Sequence, residues 1–343
     1  MQYKKISFIP LVFLFSLFIT ARGQTNAPGE EGNLVHWLTF KEAFDQNKTQ
    51  SKPFLIDVYT SWCGWCKHMM KTTYASPEIA QYINTWFYPV KFDAETKDSI
   101  EFLNKWYYNR NPNTKSTHEL AVLLLGNKLM YPTTVFANFS SKFQMPYPGY
   151  LDAKKIEPAL VYTVENVYNT SSFDDFNEGF EKTFYDTTAI KQKVKWHSFD
   201  EALKLQKKDK KKLLVFMHTT WCNACRVMYK TSFADSASYA YLSKKFYLVD
   251  FNVESNDSIQ FNGNYFKGNL NNQAHFHQLA LALTNNSLAL PTTLIMDEQL
   301  KPIEAIPLYL NPSILNKIAT FYGNDLYKTQ QLKNYLEQQS HVK

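Results

Sequence analysis

Four cysteines, the only four in the chain, stand in two pairs of identical spacing. Trp62-Cys63-Gly64-Trp65-Cys66-Lys67 is answered further on by Trp221-Cys222-Asn223-Ala224-Cys225-Arg226. Two intervening residues let each pair close as a disulfide or open as a dithiol. The loop closed in this way is too small to add much long-range constraint. That favours a chemical use, thiol–disulfide exchange, in which a thiolate attacks a disulfide sulfur and a second thiol resolves the mixed disulfide. The same spacing also serves zinc, so a protein in which each pair gives half of a four-cysteine metal site is an alternative at this level.

The repetition extends beyond the cysteines. At the same offset, Tyr131-Pro132-Thr133-Thr134 is matched by Leu290-Pro291-Thr292-Thr293, Val35-His36-Trp37 by Val194-Lys195-Trp196, and Asp98-Ser99-Ile100 by Asp257-Ser258-Ile259. A constant offset over most of each unit means tandem domains. A chain of 343 residues accommodates two, at roughly 100–200 residues each. The hydrophobic content of 45%, with 16% aromatic residues, is ample for two packed cores. The repeats place one domain at 34–168 and the second at 191–323, with a linker at 169–190 and a helical tail at 324–343. Phe173, Phe176, Phe180 and Phe184 recur in the linker every three or four residues, the spacing of a short amphipathic helix docked on something.

The N-terminal stretch reads differently. Lys4-Lys5 precede an apolar run from Ile6 to Ile19, and Ala21-Arg22-Gly23 offers small residues where a signal peptidase reads. That pattern predicts a signal peptide over residues 1–23, with cleavage after Gly23 and a periplasmic or secreted product. The run is short beside the about 20 residues of a membrane span, so no stable span is expected after cleavage. Of the formal net charge of +6, three units come from Lys4, Lys5 and Arg22. The remainder is only mildly basic and gives no argument for nucleic acid. The Lys207–Lys212 run reads as a solvated turn before a strand.

Within the first repeat, Phe40–Asn47 reads as a helix and Phe54–Tyr59 as a buried strand leading into Cys63. A helix then carries Cys66, and Pro77 opens another. Phe87–Asp93 reads as strand, Ile100–Tyr107 and His118–Leu125 as helical, Val135-Phe136 and Phe143–Tyr150 as a strand pair, and Ala153–Tyr168 as a closing helix. The second repeat follows the same order, with Leu213–Met217 and Phe246–Asn252 as strands, Cys222–Lys230 as the dithiol helix and Asn311–Tyr322 as the closing helix. The order predicts an α/β fold of two tandem domains, each a central mixed β-sheet flanked by helices on both faces.

A strand, then Trp-Cys-x-x-Cys followed by a basic residue at a helix start, then a Pro-Thr before a later strand, resembles the thioredoxin-like superfamily. The likeness covers nearly all of the chain beyond the signal segment, twice over. It is also similar to the exported thioredoxin-like proteins of Gram-negative bacteria. The resemblance implies that Cys63 and Cys222 are the attacking thiols and Cys66 and Cys225 the buried resolving ones. It further implies that Asp57, six positions before Cys63 in an apolar strand, is the proton acceptor for Cys66, and that Pro132 and Pro291 are cis-prolines whose loops, with Tyr131 and Leu290, lie against the dithiols and bind substrate through backbone groups. A thiolate at a helix N-terminus is favoured by the dipole and free N–H groups, and a useful nucleophile also needs an exposed sulfur. Trp62, Trp65 and Trp221 are candidates for gripping polypeptide substrate, although Trp62 and Trp221 suit packing equally well.

The repeats differ at one telling position. Phe216 stands where the first has Asp57, so the second lacks that proton acceptor unless the nearby His218 serves. His118 and His277 each lie a fixed distance before a Pro-Thr, which fits a shared helix start as well as a role beside the dithiol. The spans before the prolines, Asn109–Leu125 and Asn262–Leu283, are long for the family and are expected to border the active face.

The function expected is an exported protein thiol–disulfide oxidoreductase, more active in domain 1 and closer to a reductase or isomerase than to a strong oxidant. It needs no cofactor and no metal, acts on protein thiols and disulfides, and exchanges electrons with a membrane-bound redox partner. A non-catalytic thioredoxin-fold binding or chaperone-like scaffold in the cell envelope is the alternative.

Overall fold

The first repeat begins its helices with side-chain caps that recur in the second. Thr39 and Glu42 form a capping box at the start of α1 (Phe40–Asn47), and Ser198 and Glu201 form the equivalent at α7 (Phe199–Lys208). The computed structural model describes residues 34–126, 128–186, 193–268 and 276–340. The expected signal segment 1–23, the end of the linker and part of the second insertion lie outside the described residues.

After α1 come β1 (Phe54–Tyr59), α2 (Gly64–Lys71), α3 (Pro77–Trp86), β2 (Tyr88–Asp93), β3 (Ile100–Phe102), β4 (Lys105–Tyr107), α4 (Glu119–Leu125), β5 (Thr133–Asn138), β6 (Phe143–Pro148) and α5 (Ala153–Val164). The linker stretch is α6 (Phe173–Phe184). Then, following α7, come β7 (Lys212–His218), α8 (Asn223–Val227), α9 (Ser236–Lys245), β8 (Phe246–Asn252), β9 (Ser258–Phe261), β10 (Asn264–Lys267), α10 (Gln278–Leu283), β11 (Thr292–Met296), β12 (Pro302–Ile306), α11 (Pro312–Gly323) and α12 (Leu332–Ser340).

Two mixed four-stranded sheets result, ordered β2-β1-β5-β6 and β8-β7-β11-β12. In each, the strand before the dithiol pairs parallel to one neighbour and antiparallel to the other. Alternation along β1 sends Ile56 and Val58 into the core under α1 and α4, and Leu55 into the core under α2, α3 and α5. Asp57 therefore sits on the face that carries the dithiol helix. In the second repeat Val215 and Met217 face α7 and α10, while Leu214 and Phe216 face α8, α9 and α11.

That last core does not stop at the repeat boundary. Val161 and Tyr162 of α5, then Val167, Phe176 and Phe180, are buried in one cluster with Cys222, Cys225, Val227 and Met228. The helix expected from the four phenylalanines is α6, and Phe176 and Phe180 are fully buried. Fully burying such side chains is worth about 1.5–3 kcal/mol each. Gly179 permits the close approach: a Cβ there would lie 3.1 Å from Val227 Cγ1.

Four sequence expectations need correction. Ile100–Tyr107 is a hairpin, β3–β4, turning through Leu103 and Asn104 at positive φ. The signal was visible in the other copy, where Asn262-Gly263 joins β9 to β10 in the two-residue turn such a dipeptide favours. The closing helix of the first repeat ends at Val164 and not at Tyr168, because Asn166 takes a left-handed conformation. The second dithiol helix leaves α geometry after Val227 for a π-helical turn over Met228–Ser232. Lys212 is not in a solvated turn: it is buried at the start of β7 and paired with Glu298 at 2.5 Å and Asp325 at 3.1 Å.

Candidate functional site: two dithiols

Each dithiol begins a helix in the same way. Cys63 is the N-cap of α2 and its Sγ accepts the Cys66 N–H at 3.0 Å; Cys222 is the N-cap of α8 and accepts from Cys225 at 3.2 Å. Both pairs are disulfides. The backbone amides and the dipole of the first turn are aimed at these sulfurs, so each is placed where a thiolate is stabilised. The exposed sulfur expected at Cys63 is not seen in the disulfide form. Cys63 and Cys66 each keep only 4% of their surface, and Cys222 and Cys225 1%. In the second pair the cover comes from the cluster that also holds Val161, Tyr162, Phe176 and Phe180.

Tyr131–Pro132 and Leu290–Pro291 are cis peptides, and both prolines are buried. The Pro132 carbonyl accepts from Gly149 N at 2.8 Å, tying this loop to the end of β6. Trp62 meets Tyr131 edge to face at 6.1 Å, so the first dithiol's flank and the cis-proline loop are brought together. Leu290 packs against the cluster that holds Cys222 and Cys225. Trp62 and Trp221 stay 56% and 53% exposed, held by their indole N–H groups. Trp62 donates to Glu95 at 3.0 Å and Trp221 to Glu254 at 2.9 Å. Sequence reasoning passed over these two glutamates, although they too stand at the repeat offset.

Trp65 is 62% exposed and lies against His68 at 5.6 Å and Tyr150 at 5.5 Å, with His68 and Tyr150 at 5.1 Å from each other. These rings form an aromatic shelf beside Cys63–Cys66. The sequence pointed to Trp65 but not to Tyr150, which reaches the shelf only through the β6 hairpin. At the positions that match Trp65, His68 and Tyr150, the second repeat has Ala224, Val227 and Tyr309. All three are buried, and the Tyr309 ring meets Phe176 of α6 at 5.3 Å.

Behind the first dithiol, Asp57 is buried and hydrogen-bonded to the Tyr74 hydroxyl, which also lies 3.3 Å from Thr134 Oγ1. Burial, and then the Asp57 charge, hold the Tyr74 phenol well above its ordinary range. The second repeat replaces the set. Phe216 and Phe233 stand for Asp57 and Tyr74 with rings 4.8 Å apart, and the buried Thr293 hydroxyl, counterpart of Thr134, has no hydrogen-bond partner among the described residues. His218 does not fill the gap. Its Nε2 lies 2.5 Å from Asp250 Oδ1 and 3.3 Å from the Tyr229 hydroxyl, which also bonds Asp250. Burial alone would raise the Asp250 carboxyl, but the bonds from His218 and Tyr229 hold it below the usual range.

His118 and His277 are helix starts. Each ring Nδ1 accepts a backbone N–H, from Leu120 and Leu279, both at 3.1 Å. Each Nε2 faces a carbonyl, of Asp98 at 3.1 Å and Asp257 at 3.0 Å. Both are fully buried, and burial pushes their pKa values down.

Two family models match the chain. Residues 29–156 match a DsbH-like thioredoxin family described as a protein of unknown function, DUF255, and residues 195–279 match one described as thioredoxin-like. Spermatogenesis-associated protein 20 of Rattus norvegicus is 33% identical over 70 residues, covering 20% of this chain, and that of Homo sapiens is 31% identical over the same length and share. The aligned part spans 9% of those proteins. Among solved structures, a thioredoxin-fold protein from Helicobacter pylori is 17% identical with a TM-score of 0.33, covering 48% of this chain and 96% of that one. A disulphide isomerase from Xylella fastidiosa Temecula1 is 16% identical with a TM-score of 0.27, covering 39% and 98%. This chain is a thioredoxin-like fold protein with two thioredoxin-like regions, one for each dithiol.

Proposed function

We propose that the protein is a protein thiol–disulfide oxidoreductase that works through Cys63–Cys66 after export. The observation that carries this reading is the surrounding of Cys63: it caps α2, an aromatic shelf of exposed Trp65 and His68 with half-buried Tyr150 borders it, and a buried Asp57 lies behind the helix. In the reduced protein the Cys63 thiolate attacks one sulfur of a substrate disulfide. A mixed disulfide forms and one substrate thiolate leaves. Cys66, its proton taken up by Asp57, then attacks Cys63 Sγ, closes the protein disulfide and releases the second substrate thiolate. One substrate disulfide is reduced and one protein dithiol oxidised, so a thiol-bearing donor of lower potential must reset the pair. In an oxidising compartment that donor is a membrane-bound partner. Among the described residues no helix is long and apolar enough to cross a membrane. The apolar segment behind Lys4-Lys5 supports export with cleavage after Gly23.

For the second repeat a different reading is favoured by the Phe216 and Phe233 pair and by the burial of Ala224 and Val227. It serves mainly as a docking domain with a slow dithiol. A redox titration with thiol trapping and mass spectrometry, resolving the two pairs, tests both. Cys63–Cys66 equilibrating between about −120 and −270 mV, the range of catalytic dithiols, sustains the oxidoreductase reading; a value below about −300 mV marks a structural disulfide and ends it.

A further inference from the structure

Glu165 follows α5 of the first repeat, yet its carboxylate reaches the dithiol of the second. Oε1 accepts from Asn223 N at 3.1 Å, Oε2 accepts from Ala224 N at 2.8 Å, and Oε2 lies 3.5 Å from Cys222 Sγ. The matching amides in the first repeat belong to Gly64 and Trp65, and among the described residues no side chain takes them. Nor is the device repeated. The counterpart of Glu165 is Asn324, which accepts from the Tyr241 hydroxyl at 3.0 Å. This contact therefore exists only where the first repeat covers the second.

Its chemistry opposes the usual task of a leading cysteine. The first amides of the turn are the donors that favour a thiolate. A carboxylate that takes them removes that support and sets a like charge against the sulfur. Burial pushes the Glu165 carboxyl up to about 7, against the pull of the two amides. The Tyr82 phenol of α3 is raised by burial and then by the Glu165 charge. Arg226, the cation of α8, stacks instead over the Phe184 ring at 4.4 Å.

We propose that Glu165 is a positioning residue of the second dithiol. By occupying the Asn223 and Ala224 amides beside Cys222, it keeps that sulfur a thiol when the pair is reduced, so Cys222–Cys225 exchanges slowly for as long as the first repeat covers it. The proposal rests on the reading of both pairs as exchange-competent dithiols, and it makes reactivity at one repeat depend on a side chain of the other.

The test is alkylation of the reduced full chain by iodoacetamide across a range of pH, with mass spectrometry following Cys63 and Cys222 separately. In the wild type Cys222 titrates above Cys63. Glu165→Gln lowers the Cys222 midpoint and speeds its alkylation near neutral pH by about ten-fold, the factor for one pKa unit. Cys63 is unaffected and reports that the fold persists. Glu165→Asp, which keeps the charge, keeps Cys222 slow. A Cys222 midpoint that stays put in Glu165→Gln, or shifts equally in both variants, overturns the proposal. If the variants do not fold, a wild-type Cys222 midpoint below that of Cys63 overturns it as well. Reduction of insulin disulfides by the same samples is scored separately. Its absence defeats the oxidoreductase reading and leaves the order of the two midpoints to be judged by itself.

Discussion

The two dithiols share a sequence motif, a helix start and a cis-proline loop, and yet their surroundings differ in almost every other respect. The first is rimmed by exposed rings and has a carboxylate behind it. The second is rimmed by Ala224 and Val227, packed under α6, faced by Glu165 and backed by Phe216 and Phe233. The contrast teaches that a Cys-x-x-Cys fixes what chemistry is available, while the cover and the buried partners fix whether it is used. The outer face of the second dithiol packs against α5 and α6, whereas Trp65 beside the first stays exposed.

The largest effect that separates the two is expected from the leading cysteines. Cys63→Ser should abolish most disulfide reductase activity and Cys222→Ser a small part, measured as insulin reduction by the full chain. Equal losses would erase the asymmetry.

A smaller effect is expected at the cover. Gly179→Leu drives a side chain into Val227 and Thr231, at a cost of about 1–3 kcal/mol for overpacking. Loosening α6 should speed trapping of Cys222 and leave Cys63 alone. A Cys222 rate that stays at the wild-type value would show that α6 does not restrict it.

The smallest effects are those of pH, and they run in opposite directions. His118 and His277 are buried with pKa values below the ordinary 6.5. The unfolded chain then binds more protons at these rings, so their contribution is complete above about 6.5 and is lost as pH falls. Glu165 behaves inversely. Its folded value is raised from 4.5 to about 7, so the contact between repeats is favoured at low pH and weakens as pH rises through that window. The melting temperature should fall in acid, and His118→Asn, which can still cap α4, should blunt that fall. Limited proteolysis within α6 should increase from pH 4.5 toward about 7. An increase in the reverse direction would remove Glu165 from the account of the interface.

Much of this was legible in the chain. Strand and helix order followed from apolar runs and breakers, since the strand formers of Phe54–Tyr59 and the helix-opening Pro77 are local signals. The substitution of Phe216 for Asp57 was visible as a break in the repeat. The hairpins β3–β4 and β9–β10 were also within reach, because Asn262-Gly263 is a strong turn signal. Ile100–Tyr107 lacks that dipeptide, and its apolar spacing suits a helix as well as a strand. Glu95 and Glu254 were findable at the repeat offset, yet carried no motif of their own.

What the sequence determined by itself was the pair of thioredoxin-like units and their dithiols, because helix starts, buried strands and turns are written in neighbouring residues. Tertiary structure alone decided that Tyr150 would join Trp65 and that Glu165 of one repeat would meet Cys222 of the other. Those contacts join residues far apart in the chain. The first depends on where the β6 hairpin ends and the second on how α5 and α6 lie across α8, which no local spacing encodes.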